Sequence, residues 1–280
     1  MAGEVSSLFV ASVYIAMVKL SIITINYNNQ IGLQKTIESV IEQDFKNYEY
    51  LVIDGASTDG SIEVIDKYQN NIASWISEPD NGVYHAMNKG IRKATGEYLL
   101  FLNSGDSFYS SDSLSSLVKE AKGEDLVYGN ILVEETNKSW IKSYPATLNF
   151  SYMLTDTLPH PATLIKKSLI EGVGYTESFR IVSDWEFFII SVCKKGASYK
   201  YVNRTISNFN YDGISSNPAN ASLIQEEKNK VLQSEFKTFL EDYQSYFKVQ
   251  QAYELLVNSR PYKVISKIKR LPFASLFFKL

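Results

Sequence analysis

The sequence predicts an α/β fold with a mostly parallel central sheet flanked by helices, followed by a helical C-terminal extension. Three observations predict it. Short apolar, β-branched runs alternate with segments whose apolar residues recur at helical spacing. The most apolar run, Tyr98-Leu99-Leu100-Phe101-Leu102, lacks polar alternation, as expected of a strand covered on both faces. After about Ser215 the character changes to helical segments rich in Lys, Glu and Gln.

In chain order, residues 1–16 form an N-terminal extension outside the folded unit. Val5 to Val18 carries no charge, yet it is too short to span a bilayer and lacks the basic start of a signal peptide. Met17 is expected near the start of the folded domain, 17–215. Leu20 to Ile25 reads as the first strand, ending in the turn cluster Asn26-Tyr27-Asn28-Asn29. Leu33, Thr36, Ile37, Val40 and Ile41 then share one helical face. Tyr50 to Ile53 is a second strand that ends at Asp54. The polar turn Asp54 to Gly60 feeds a helix through Ile62 and Ile65, and Trp75-Ile76-Ser77 is a short third strand. A helix is expected over 83–95, then the apolar strand, which stops at Asn103-Ser104-Gly105-Asp106. Leu126 to Val133 and Ala162 to Lys166 read as later strands, Asp184 to Lys194 as a helix, and 216–280 as the C-terminal segment.

Composition bounds the chemistry. The net charge of −3 gives no electrostatic footprint for nucleic acid. One cysteine, Cys193, allows no internal disulfide, which suits a reducing cytoplasm. Neither G-x-G-x-x-G after the first strand nor a P-loop motif is present, so dinucleotide and P-loop triphosphate chemistry lack their phosphate cradles. With only His85 and His160 as histidines, metal chemistry falls to carboxylate oxygen, which suits Mn²⁺ or Mg²⁺. Polar clusters follow apolar strands at Asn26, Asp54 and Asn103. In an open α/β sheet ligands bind outside the carboxyl ends of the strands, so the three clusters are expected on one crevice.

Five blocks then resemble family 2 glycosyltransferases over roughly residues 19–215. Ser21 to Asn28 resembles the V-S-I-I-x-x-Y-N opening strand. Asp54-Gly55-Ala56-Ser57-Thr58-Asp59-Gly60 matches D-[DG]-x-S-x-D-G-[ST]. The stretch Gly82 to Gly90, with Asn88, resembles the A-[RM]-N-x-G region. Gly96 to Asp106 resembles the block ending D-x-D-D, here reduced to Asn103-Ser104-Gly105-Asp106. His160, Gly174-Tyr175 and Ser183-Asp184-Trp185-Glu186 resemble the later acceptor-side motifs. The resemblance implies a GT-A fold, which is Rossmann-like, and inverting transfer of a sugar from a nucleoside-diphosphate sugar, UDP-linked, to a glycan or lipid-linked acceptor. It implies Asp184 as general base, Asp106 as metal ligand, and Asp54 as the carboxylate that meets the base. It further implies Thr24, Asn26, Asn28, Asp80, Asn88, Asn103 and Ser104 around the nucleotide-sugar, and His160, Trp185 and Glu186 lining the acceptor side. Tyr211 to Ser215 resembles a loop that folds over the donor. With only one carboxylate left in the metal motif, metal affinity in the absence of nucleotide is expected to be weak.

An inverting transfer needs one carboxylate to take the acceptor proton and no protonating acid if the leaving diphosphate is neutralised. The alternatives are a sugar nucleotidyltransferase, against which Asn26 to Gln30 carries no Lys or Arg, and a non-catalytic nucleotide- or glycan-binding relative, against which Asp184 is present. Residues 260–280 hold six basic and no acidic side chains among apolar ones. They read either as a peripheral contact with the inner face of the cell membrane or as a helix packed on protein.

Overall fold

The computed structural model describes residues 19–211 and 213–263. The expectations for residues 1–16, for Asp212 and for 264–280 lie outside the described residues. Contacts divide the chain into two compact units, Met1–Glu227 and Lys228–Leu280.

The first unit is built on a mixed sheet with strand order β3-β2-β1-β4-β8-β6-β9-β5, with β7 paired to β6. Strands β1 (Leu20–Asn26), β2 (Tyr48–Asp54), β3 (Ser74–Ser77) and β4 (Tyr98–Phe101) run parallel. They are joined by helices α1 (Gln30–Ile41), α2 (Ser61–Lys67) and α3 (Val83–Lys93). All of β1 and β4 is buried, which explains their uninterrupted apolar spelling. Helix α3 lies close on β1: a Cβ added at Gly90 would stand 2.5 Å from Ile23 Cγ2. Only glycine allows that approach.

The second half turns antiparallel. Strand β5 (Ser107–Phe108) leads to α4 (Ser113–Val118), the hairpin β6 (Leu126–Glu135) and β7 (Lys138–Lys142), and then α5 (Phe150–Thr155). Strand β8 (Thr163–Lys166) pairs antiparallel with both β4 and β6. Helices α6 (Lys167–Ile170) and α7 (Ser183–Ile189) follow, and strand β9 (Tyr199–Asn210) runs parallel to β6. The sequence predicts one helix over 184–194. In the structure the α-helix ends at Ile189 and a π-helical turn follows, because the Lys195 N–H reaches back to the Ile190 carbonyl at 2.9 Å.

Helix α8 (Ala221–Glu235) carries the chain across the boundary between the units. In the second unit, α9 (Lys237–Asn258) has no buried side chain and exposes Phe239, Tyr246, Phe247, Tyr253, Leu255 and Leu256. Among the described residues no helix is long and apolar enough to cross a membrane.

Candidate active site

The carboxyl ends of three strands lie in register, with Asn26 opposite Asp54 and Asp54 opposite Ser77. That register ties the tips together. Asp54 Oδ1 accepts from Asn26 Nδ2 at 2.8 Å and Ser57 Oγ at 2.6 Å. Its Oδ2 accepts from the Ser57 N–H at 2.9 Å and Ser77 Oγ at 2.6 Å. Burial alone would raise this carboxyl, but the hydrogen bonds from Ser57, Ser77 and Asn26 outweigh it and hold it below the usual range. An ionised carboxylate offers about four acceptor positions, and all four are filled by protein. Asp54 therefore fastens the strand tips in this structure.

Other expected nucleotide-binding residues divide. Asn26 remains at the β1 tip, buried, with its Oδ1 left without a hydrogen-bond partner. Asn28 stands at φ 47° and stitches the first two turns, its N–H donating to Ser57 Oγ at 2.8 Å and its Oδ1 accepting from the Thr58 N–H at 2.8 Å. Thr24 belongs to the sheet interior. It is wholly buried inside the sheet and directed to the Leu102 carbonyl at 2.7 Å and the Tyr50 hydroxyl at 2.8 Å. Asn88 is likewise engaged by the protein. Its amide accepts from the Tyr175 N–H at 2.8 Å and donates to the Tyr175 carbonyl at 2.9 Å and Glu177 Oε1 at 2.8 Å, so it clamps a neighbouring segment. Both are claimed by the fold because their polar atoms complete buried hydrogen bonds that would otherwise be lost.

The β4 tip turns through Asn103-Ser104-Gly105-Asp106, held by Thr36 of α1, whose hydroxyl accepts the Gly105 N–H at 3.0 Å and lies 2.6 Å from the Asp106 carbonyl. Asn29 Nδ2 donates to the Ser104 carbonyl at 3.0 Å. Asp106 is buried, and its Oδ1 accepts the Asn210 N–H at 3.1 Å from the end of β9. Burial pushes this carboxyl up to about 7, opposed in part by the Asn210 N–H and by Lys35. Asn103 Oδ1 is buried without a hydrogen-bond partner. The turn thus carries two oxygen groups, a carboxyl and an orphaned amide oxygen, of the chemical kind that suits Mg²⁺ or Mn²⁺. Among the described residues no group of three or more His, Cys, Asp or Glu side chains could hold a metal on its own.

Asp184 lies in the first turn of α7 with a quarter of its side chain exposed, 24%. Tyr84 Oη, in the first turn of α3 just past β3, shares its one O–H between the Ile181 carbonyl at 2.5 Å and Asp184 Oδ1 at 2.8 Å. His160 Nδ1 lies 3.9 Å from Asp184 Oδ2, and the His160 ring packs on Phe101, the last residue of β4. These contacts put Asp184 at the same end of the sheet as the strand tips. Burial lowers the His160 pKa although Asp184 opposes it, so the imidazole is neutral at pH 7 and its contact with Asp184 is not an ion pair. His160 Nε2 pairs with Tyr175 Oη at 2.8 Å; a tyrosine held protonated by burial is the donor there. Trp185, expected to line the acceptor side, is instead buried and donates its indole N–H to the Met153 carbonyl at 2.6 Å. Glu186 is half-buried, and Ser183 Oγ lies 3.4 Å from its carboxylate.

Tyr175 lies in a block the sequence already singles out, whereas Tyr84, Lys89 and Glu227 escape sequence reasoning. Tyr84 and Tyr175 surround the Asp184–His160 pair, and Lys89 grips Asp80 at 2.5 Å. Glu227, in α8, is buried and accepts the backbone N–H groups of Arg180, Ile181 and Val182 at 2.7, 3.0 and 3.2 Å, immediately before α7. Nothing local in the sequence marks Glu227.

Comparison with known proteins agrees with this architecture. The sequence profile of glycosyl transferase family 2 matches residues 21–173. A PGL/p-HBAD biosynthesis glycosyltransferase of Mycobacterium tuberculosis is 28% identical over 204 residues, covering 70% of this chain and 78% of the relative. The GalNAc(5)-diNAcBac-PP-undecaprenol beta-1,3-glucosyltransferase of Campylobacter jejuni is 29% identical over 175 residues, 58% of this chain and 56% of the relative. Among solved structures, S. aureus TarS in complex with UDP-GlcNAc superposes with a TM-score of 0.56 at 19% identity, over 69% of this chain and 58% of TarS. The mannosyltransferase PcManGT of Pyrobaculum calidifontis, in complex with GDP-Man and Mn²⁺, gives 0.56 at 13% identity over 97% of this chain and 93% of that one. The fold is GT-A, and because the matched profile covers more than half of the 280 residues, the chain belongs to glycosyl transferase family 2 and is a glycosyltransferase.

Proposed function

We propose that the chain transfers a sugar, with inversion, from a nucleoside-diphosphate donor to a hydroxyl of a glycan or lipid-linked acceptor, with Asp184 as general base. The observation that carries this reading is the state of Asp184: a partly exposed carboxylate beside the strand tips, with Oδ1 held by Tyr84 and Oδ2 turned toward neutral His160. Oδ2 is the oxygen available to an acceptor hydroxyl, and a carboxylate so placed takes the proton as the hydroxyl oxygen attacks. Neutral His160 orders the acceptor side without competing as a cation. The orphaned oxygen Asn26 Oδ1 is an acceptor awaiting a donor, as a hydroxyl of a ribose or sugar would supply. Asp106 and Asn103 would hold a divalent ion together with the donor's diphosphate. When bound, such an ion neutralises charge on the leaving diphosphate. The lipid-linked acceptor is supported by the name of the Campylobacter relative, and a reducing cytoplasmic compartment by the single free thiol, Cys193. The transferase work is assigned to residues 17–215. Membership of the family counts against the nucleotidyltransferase alternative, and the presence of Asp184 counts against a non-catalytic relative.

The test is release of UDP from a panel of UDP-sugars with and without Mn²⁺, for the wild type and Asp184→Asn. The variant is expected to lose about 10²-fold or more of its turnover while still binding UDP. Turnover equal to wild type would remove Asp184 from the reaction.

A further inference from the structure

Glu227 is a buried carboxylate that the proposed reaction does not use. It lies in α8 as the last residue of the first unit, beyond residue 173, where the family profile ends, and beyond the residues 17–215 given the transferase work. Its partners are backbone amides. Oε1 accepts the Arg180 N–H at 2.7 Å, and Oε2 accepts the Ile181 and Val182 N–H groups at 3.0 and 3.2 Å.

The Val182 N–H carries the consequence, because it shares one planar, conjugated peptide group with the Ile181 carbonyl. That carbonyl is one of the two acceptors between which Tyr84 shares its hydroxyl; the other is Asp184 Oδ1. Glu227, the 181–182 peptide, Tyr84 and Asp184 thus stand in one line of hydrogen bonds. Charge at one end of such a line polarises the members between, so a peptide whose N–H meets a carboxylate offers a stronger carbonyl. Tyr84, Ile181 and Val182 are all buried, which keeps water from interrupting the line. Burial also raises the Tyr84 hydroxyl well above its ordinary pKa, so it stays a donor.

We propose that Glu227 is a positioning residue for the transfer, acting on Asp184 through the 181–182 peptide and the Tyr84 hydroxyl. This rests on the reading of Asp184 as general base. Before transfer, the Tyr84 O–H donates to the ionised Oδ1 and holds the carboxylate. The acceptor oxygen then bonds to the sugar, the diphosphate leaves with the electron pair of the broken bond, and the acceptor's proton passes to Oδ2. Asp184 is now neutral and a poorer acceptor. The Tyr84 O–H turns to the Ile181 carbonyl, which Glu227 has strengthened, and Tyr84 keeps its own proton throughout. Its hydroxyl has a partner in both states, so discharging the carboxylate strands no buried donor. Without charge at 227 the second partner is weaker, and the loss falls on turnover rather than on donor binding.

The experiment is a double-mutant cycle on the full chain, Glu227→Gln against Tyr84→Phe. Release of nucleoside diphosphate is followed from UDP- and GDP-sugars, with Mn²⁺ present and water as the acceptor. Glu227→Gln keeps the side-chain length and an acceptor oxygen for the 181 and 182 amides but removes the charge. It is expected to lower kcat about three- to tenfold with the donor KM unmoved. In the Tyr84→Phe background the same substitution should cost less than about twofold, because the hydroxyl that carries its effect is gone. Glu227→Asp keeps the charge at shorter reach; its kcat should fall between those of wild type and Glu227→Gln, and it carries the same cycle if Glu227→Gln does not fold. Equal losses in the two backgrounds overturn the proposal and leave Glu227 a fastener of the fold. An unchanged kcat, or a change confined to the donor KM, overturns it as well. Failure of the base reading is seen separately, as wild-type turnover in Asp184→Asn.

Discussion

Glu227→Ala removes one carboxylate and strands three amides. The segment it holds, Arg180 to Val182, leads directly into the helix that carries Asp184, and Ile181 and Val182 are buried. Each of the three hydrogen bonds is charge-assisted. Allowing about 1 to 1.5 kcal/mol for each, with water replacing part of the loss, the deletion costs about 3–4 kcal/mol. At about 2–4 °C per kcal/mol for a unit of this size, the melting temperature should fall by roughly 6–16 °C. The local signature is sharper. Amide exchange at 180, 181 and 182 should accelerate well beyond that of β1 and β4, since the anchor is lost there and nowhere else. Glu227→Gln, which keeps the length but offers one acceptor oxygen in place of two, should fall between wild type and Ala. Hydrogen exchange read by mass spectrometry, alongside calorimetric melting, checks both levels. Wild-type protection of residues 180–182 in the Ala variant would refute the reasoning, because the carboxylate would then not be what holds the segment.

Three further outcomes are expected. Asp106 carries a folded pKa of about 7 against an ordinary carboxyl value near 3.9 unfolded. Its ionisation is therefore resisted only in the folded state, so stability is lost as pH rises from about 4 to 7, by up to about 4 kcal/mol, and stays low above that window. Asp106→Asn should exceed wild type in urea titrations at pH 8 without divalent ions and converge with it near pH 4; a gap that does not change with pH would contradict the assignment. Gly90→Ala should destabilise by about 1–3 kcal/mol despite alanine's better helix propensity, since its methyl would press on Ile23 at 2.5 Å; unchanged melting would mean α3 can draw back from β1 at no cost. Tyr84→Phe removes the donor on Asp184 Oδ1 and should lower turnover about 5–30-fold, the scale of about 1–2 kcal/mol, with the donor KM unmoved; a change confined to KM would place Tyr84 with the donor instead.

The sequence by itself determined the parallel half of the sheet and the end of it that matters. Strands β1, β2 and β4 and helices α1 and α3 are legible because burial of one face or both writes a period of two, a period of 3.6 or an unbroken apolar run into neighbouring residues. The polar turns at Asn26, Asp54 and Asn103 are legible because they interrupt those runs. Strand β9 was not, since its Asn203, Arg204, Asn208 and Asn210 break the apolar pattern. Only the tertiary structure decided what each polar residue does. Asp54 gained Ser77 as a donor, 23 positions on, once β2 and β3 came into register. Asp106 met a backbone N–H 104 positions away, and Asp184 met a tyrosine 100 positions before it. A carboxylate's role is set by which donors fill its lone pairs and how much water reaches it. Both are fixed by elements brought together from far along the chain, and no local period records them.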